Sequence, residues 1–180
     1  MPATIDLTEK AVFDGLRAFV LDVLPLPAEQ VVKGQQNRAP MPTGPNFVVL
    51  TPTGRARLAT NVRTYAPTDD PAPALGQRDT QQQTRLDIQI DVYGPAAAEN
   101  VQIVSTLLRD TYGCDFLRPH LVQPLYTGDP RQLPLVTGEQ QYLQRWMLGA
   151  TLQFNPTVST SQQFADIVDV TLVEIDQNGE

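Results

Sequence analysis

The segment Thr84–Tyr93, TRLDIQIDVY, limits the fold more than any other stretch of the chain. Leu86, Ile88, Ile90 and Val92 occupy alternate positions, with Arg85, Asp87, Gln89 and Asp91 between them. A period of two puts one set on each face of an extended strand, so the apolar face must be buried and the charged face stays wet. Strands of this kind belong to antiparallel-type sheets with one solvated side. A single strand or hairpin is not stable in water, so the rest of the chain has to supply partner strands and an apolar cover.

Two segments can provide that cover. Thr4 to Leu24 carries Val12, Phe13, Leu16, Phe19, Val20, Val23 and Leu24 at spacings of three and four, one apolar stripe of a helix, with Thr8 a candidate cap. Pro25 and Pro27 stop it, because proline has no amide hydrogen and clashes with the preceding turn. Ala96 to Tyr112 repeats the pattern with Ala97, Val101, Val104 and Leu108, and Gly113 is expected to end it. Gly94-Pro95 separates this helix from the strand before it.

Further strands are expected at Phe47–Leu50, at Arg57–Tyr65 after a Thr51-Pro52-Thr53-Gly54 turn, and at 164–176. The clearest of the rest is Gln140–Asn155, with Tyr142, Gln144, Trp146, Leu148, Ala150, Leu152 and Phe154 on one side. A short strand is expected around Leu121, Val122, Leu125 and Tyr126, within an otherwise irregular, Pro-rich 115–138. Residues 66–82, APTDDPAPALGQRDTQQ, have no period and three prolines, and are expected to form an exposed, mobile loop. The order helix, strands, helix, strands defines an α+β fold: an antiparallel or mixed sheet with two helices on one face and long Pro-rich loops.

The 180 residues suit a single domain spanning 1–180. With 41 % hydrophobic and 18 % charged residues, the chain is that of a folded globular protein. Cys114 is alone, which excludes an internal disulfide, and no apolar run approaches the roughly 20 residues of a membrane-spanning helix. The N-terminus lacks the basic and apolar regions of a secretory signal, so folding in the cytoplasm is expected. A net charge of −7 argues against holding nucleic acid by phosphate neutralisation, but not against a surface that DNA slides past.

Catalytic constellations are scarce. His120 is the sole histidine, and nothing in the sequence places it beside Cys114 or Ser105, its available nucleophilic partners. Asp87 and Asp91 lie about 13 Å apart along one strand face, too far to share a metal, unless Asp169 on another strand complements either. An ion pair with Arg85 is the simpler use of these acids. No phosphate-binding glycine loop occurs. The chain is therefore expected not to be an enzyme and to need no cofactor, with a small carboxylate-dependent hydrolase acting through Asp87, Asp91 and Asp169 as the alternative.

One segment stands out from the acidic background. KGQQNRAPMPTGP, residues 33–45, combines Lys33 and Arg38 with Gln35, Gln36 and Asn37 in a proline-stiffened span. A restricted backbone loses little entropy on docking, so these side chains are candidates for contacts with a neighbour. A plain surface crossover between helix and sheet is the competing reading. Arg131 is a further contact candidate.

Several stretches together carry a resemblance: LPLPAEQVVKGQQNRAPMPTGPNFVV, TQQQTRLDIQIDVYGPAAAENVQIVSTLLRDTYGCDF, VQPLYTGDPRQLPLVTGEQQYLQRWMLGATLQFNP and QQFADIVDVTLVEID. In their order and wording the chain resembles the neck or tail-terminator proteins of tailed bacteriophages, from Leu24 onward. The resemblance implies a virion protein at the junction of head and tail, assembled in the host cytoplasm as a hexameric ring. Such a ring caps the head-proximal end of the tail tube, stops its polymerisation and joins the head connector, while DNA passes through its channel without specific binding. Tube and connector proteins would be its partners, with no membrane, cofactor or catalytic residue involved. A head–tail joining or tail-completion protein is the nearest alternative.

Overall fold

The computed structural model describes residues 2–35, 41–67, 75–136 and 142–163. Twelve strands and three α-helices run in the order β1 (Thr4–Ile5), α1 (Glu9–Val23), β2 (Val31–Lys33), β3 (Phe47–Arg57), β4 (Val62–Pro67), β5 (Leu75–Gln81), β6 (Thr84–Tyr93), α2 (Ala97–Leu108), α3 (Thr111–Leu117), β7 (Val122–Thr127), β8 (Arg131–Gln132), β9 (Leu135–Val136), β10 (Tyr142–Leu143), β11 (Arg145–Phe154) and β12 (Thr157–Gln163). The architecture is α+β, as the alternation of patterns predicts.

The main sheet has the order β2-β3-β6-β11-β7, with β8 pairing alongside β11. β6 lies at its centre, antiparallel to β3 on one side and to β11 on the other, and only β2 runs parallel to its neighbour, β3. Leu86, Ile88, Ile90 and Val92 of β6 share a face with Leu148, Ala150, Leu152 and Phe154 of β11, and all eight are buried. The helices cover this face: Val12, Leu16, Phe19 and Val20 of α1 and Ala97, Val101, Val104 and Leu108 of α2 belong to the same core. Thr8 caps α1 by accepting a hydrogen bond from the Ala11 amide. Leu24 turns extended ahead of Pro25, as a residue preceding proline must.

A second sheet, β1-β12-β5-β4, continues the first. β3 leads into β4, β5 into β6 and β11 into β12, and the three strands keep the same side-by-side order in both sheets. Each strand breaks at the same level, where Leu58 N donates to Gln83 O (2.9 Å) and Gln82 N donates to Pro156 O (3.0 Å). The second sheet is thus an arm in which β1 joins three strands that continue those of the body.

Several expectations are corrected. Thr4–Ile5 is not the start of α1 but a strand paired with Ser159 and Val158 of β12. Thr51–Gly54 does not turn: β3 runs straight through it, and Thr53 is accommodated as a bulge opposite β6. The strand expected from Arg57 begins at Val62. The span 66–82 is not one loop, because β4 extends to Pro67 and β5 starts at Leu75, antiparallel to it. A polar hairpin in which neither face is core has no apolar alternation to reveal it.

Gly113 lies within α3 and does not end α2. The helix break comes earlier, at Arg109, and Asp110 caps the new helix by accepting from the Tyr112 amide (3.0 Å). Among the described residues the helices therefore number three, where two were expected. The strand expected at 164–176 lies outside the described residues.

Gly94 joins β6 to α2 with φ of +108°, a conformation open to glycine and strained for any other residue. A Cβ there would collide with Pro45 O and with Asn46, whose side chain accepts from Ala96 N (2.9 Å). Gly149 on β11, by contrast, faces open space. Gly94→Ala should lower unfolding free energy by about 3 kcal/mol in urea denaturation, whereas Gly149→Ala should change it by less than about 0.5 kcal/mol.

Candidate functional site

The face of the main sheet turned away from the helices carries the alternate residues of β6 and β11, and here the charged side chains are organised in two sets. At one end, Asp91 is only 3 % exposed. Its Oδ1 accepts from Arg145 Nε (3.1 Å), and its Oδ2 accepts from Gln89 Nε2 (2.7 Å). The Arg145 guanidinium also lies 5.6 Å above the ring of Tyr93, which stacks on Phe47 at 4.6 Å between centroids. Burial, reinforced by the charge of Asp91, pushes the Tyr93 hydroxyl pKa above its ordinary value.

Toward the other end, Arg85 grips Asp87 through Nε and Nη2 (3.0 and 2.8 Å), and Thr151 on β11 donates to the same carboxylate (2.8 Å). The hydrogen bonds from Arg85 hold the Asp87 pKa below the usual carboxylate range, assisted by Thr151 and opposed by partial burial. Between the two sets lies a shallow recess of about 260 Å³ lined by Thr53, Gln89, Met147 and Thr151. Each arginine of β6 and β11 thus has a carboxylate of its own. The face expected to be uniformly wet is buried at Asp91, where Arg145 and Gln89 cover the carboxylate.

The acids do not converge. Asp87 and Asp91 serve separate arginines, Asp169 lies outside the described residues, and no cluster of three metal-ligating side chains occurs among the described residues. His120, expected in an exposed loop, is half-buried: it packs against Gly15 of α1 and stacks on Phe116 (6.2 Å). Ser105 is buried in α2. Cys114 instead lines a cleft of about 390 Å³ between α2, α3 and β7. Arg109 staples that cleft by donating to Thr127 O, Gly128 O and Asp129 Oδ1 (2.8, 2.6 and 2.9 Å).

The cationic segment 33–45 joins two neighbouring parallel strands, β2 and β3, a pairing that requires a crossover. Its ends are tied down. Gly34 N donates to Leu50 O (2.8 Å), and Gly44 packs so closely on Gln30 that a Cβ would overlap its side-chain amide. Lys33 donates to Glu9 (3.3 Å), which also accepts from Arg55 (2.7 Å), and its ammonium lies 5.5 Å from the Phe13 ring. Glu9 and Arg55 carry no signal in the sequence, since their pairing joins residues far apart in the chain. Gln35 is exposed, in a left-handed conformation with φ of 58°. Gln36, Asn37 and Arg38 lie outside the described residues. Arg131 is exposed on β8, in register with Met147.

The fold is thus an α+β body whose central arginines are paired with aspartates, with an arm of strands beyond its own core. The chain matches the family model described as phage neck terminator protein over residues 10–180, and it belongs to that family. It is a structural component of the bacteriophage neck. A comparison with curated proteins finds no match.

Two consequences are measurable. Arg145→Met leaves the buried Asp91 carboxylate without its cation and should cost about 3 kcal/mol of stability in urea denaturation, much of it recovered by adding Asp91→Leu. Because the Asp87 pKa is depressed by folding, its contribution is fully present above the unfolded value, about 3.9, and is lost as pH falls through the lower folded value. Asp87→Asn should therefore flatten the acid limb of the stability–pH curve below about pH 4.

Proposed function

We propose that this protein closes into a hexameric ring that caps the head-proximal end of the tail tube, halts tube polymerisation and presents the surface that joins the head connector. The observation that carries this reading is the helix-free sheet face, on which Arg85 and Arg145 are each neutralised by a neighbouring aspartate. With both of these arginines paired, exposed Arg131 of β8 is the cation this wall leaves without a carboxylate among the described residues, and the net charge of −7 repels the phosphate backbone. Such a face can border a channel through which the genome slides without being held. The same pairing occupies the acids that a hydrolase would need, which supports a role without catalysis or cofactor.

Ring closure uses a heterologous contact, one patch of a subunit on a different patch of the next. Gln35, Gln36, Asn37, Arg38 and the exposed Arg131 supply contacts with neighbouring subunits, the tube protein or the connector, with Lys33 as the anchor that holds the segment to α1. The chain acts as one domain and assembles in the host cytoplasm before the head is joined.

A phage lacking this protein should yield tails of uncontrolled length, or tails without heads, in negative-stain images of lysates. Normal infectious particles would refute the assignment. Gln36→Ala with Arg38→Ala should reduce tail–head joining without changing the melting temperature of the isolated protein. Unchanged rings and tail lengths in that variant would remove the segment from the contact.

A further inference from the structure

The cleft between α2, α3 and β7 has a mixed lining. It is apolar at Leu108, Cys114 and Pro124, and polar at Arg109, Asp129 and Thr127. Arg109 and Asp129 form an ion pair there (2.9 Å), and the Thr127 Oγ1 is buried without a hydrogen-bond partner among the described residues. Leu125, on the same lining, is 45 % exposed, so apolar surface also borders the opening. At about 390 Å³ the cleft is near the lower end of ligand-sized pockets, with room for one large side chain. An apolar body with a polar tip is the form of a tyrosine, whose ring buries a large area while its hydroxyl finds a hydrogen-bond partner.

One tyrosine is placed to serve. The β9–β10 hairpin forms a sheet of its own, apart from the two larger ones. It carries Tyr142, which at 83 % exposure is the most exposed large hydrophobic side chain among the described residues. Its side chain has no hydrogen bond or ring contact among those residues. The root of the hairpin is fixed: Leu133 N donates to Arg145 O (2.9 Å), and Gly94 N donates to Gln144 O (3.0 Å). A held root lowers the entropy that Tyr142 loses on docking. Three other tyrosines are already committed, since Tyr93 is buried, Tyr112 donates to Asp22 and Tyr126 lines the cleft itself.

Hairpin and cleft are separate patches. The hairpin is rooted at Arg145, whereas Thr127 in the cleft pairs with Ala150, five residues or about 17 Å along β11. Two different patches on one chain are what a ring of identical subunits requires.

We infer that Tyr142 of one copy inserts into the cleft of the next, with its ring against Leu108 and Pro124 and its hydroxyl beside Asp129. This contact rests on the ring reading above and names the two patches that it requires. A single desolvated aromatic anchor of this kind carries a large share of the binding energy of an interface.

Photo-cross-linking in the full-length chain tests it. With Tyr142 replaced by p-azidophenylalanine, which keeps the aromatic ring, ultraviolet light should give a ladder of covalent oligomers on denaturing gels. Peptide mass spectrometry should place the cross-links within residues 108–129. Native mass spectrometry of the unirradiated proteins reads ring formation separately. Tyr142→Ala should raise the protein concentration needed for half-assembly at least about tenfold, as expected of an aromatic anchor. Tyr142→Phe, which loses only the hydroxyl, should raise it less. Leu125→Asp at the border of the cleft should weaken rings from the opposite side of the contact, with the circular dichroism spectrum unchanged in both Tyr142→Ala and Leu125→Asp.

Rings that form as readily in Tyr142→Ala, or cross-links that map elsewhere or stay within single chains, would overturn this contact and leave the ring intact. Absence of any oligomer from the unsubstituted chain would overturn the contact and the ring together.

Discussion

The rest of this molecule depends on the burial of the alternating apolar side chains of β6 and β11 beneath α1 and α2. These two central strands contribute eight buried side chains to one face, the largest share of the apolar surface on which the helices pack. With this interface in place, the register of the whole sheet follows, because a slip of one residue would turn every apolar side chain outward and every aspartate inward. The buried Asp91 is tolerated because Arg145 and Gln89 meet both of its oxygens.

The same interface explains why the molecule has two faces with different tasks. On the covered face, the Glu9–Lys33–Arg55 set and Arg17, which donates to Val31 O, tie α1 to β2 and β3 at the margins. On the open face, Arg85 and Arg145 are each paired with an aspartate, while Arg131 of β8 stands exposed beside them. Where the three strands pass beyond the helices, apolar alternation gives way to Thr, Ser and Gln, since nothing there would bury an aliphatic side chain. Among the described residues the arm is held by ladder hydrogen bonds and contributes no residue to the main core.

Much of this was legible in the residues. The stripes of α1 and α2, the Thr8 cap and the alternation of β6 and β11 all act locally, through helical or extended periodicity, and each lies where its pattern places it. The arm was not legible as strands. β5 (LGQRDTQ) and the outer half of β3 (TPTGRAR) contain residues common in turns, and they are extended only because β4, β6 and β12 offer them hydrogen-bond partners. Gly113 looked like a helix stop, yet α3 needs a residue without a side chain there, where a Cβ would crowd Leu107 O and Leu108.

The candidate site divides in the same way. By itself, the sequence determined that β6 has a charged face and that Arg85 and Asp87 share it, because these depend on separation along one strand. Only the tertiary structure decided that Asp91 is buried against Arg145, that Lys33 is bound to Glu9, and that β4 is the last strand of its sheet among the described residues. Those outcomes join residues that are far apart in the chain, and no periodicity encodes which distant side chain will close a pair or which strand will be last in a sheet.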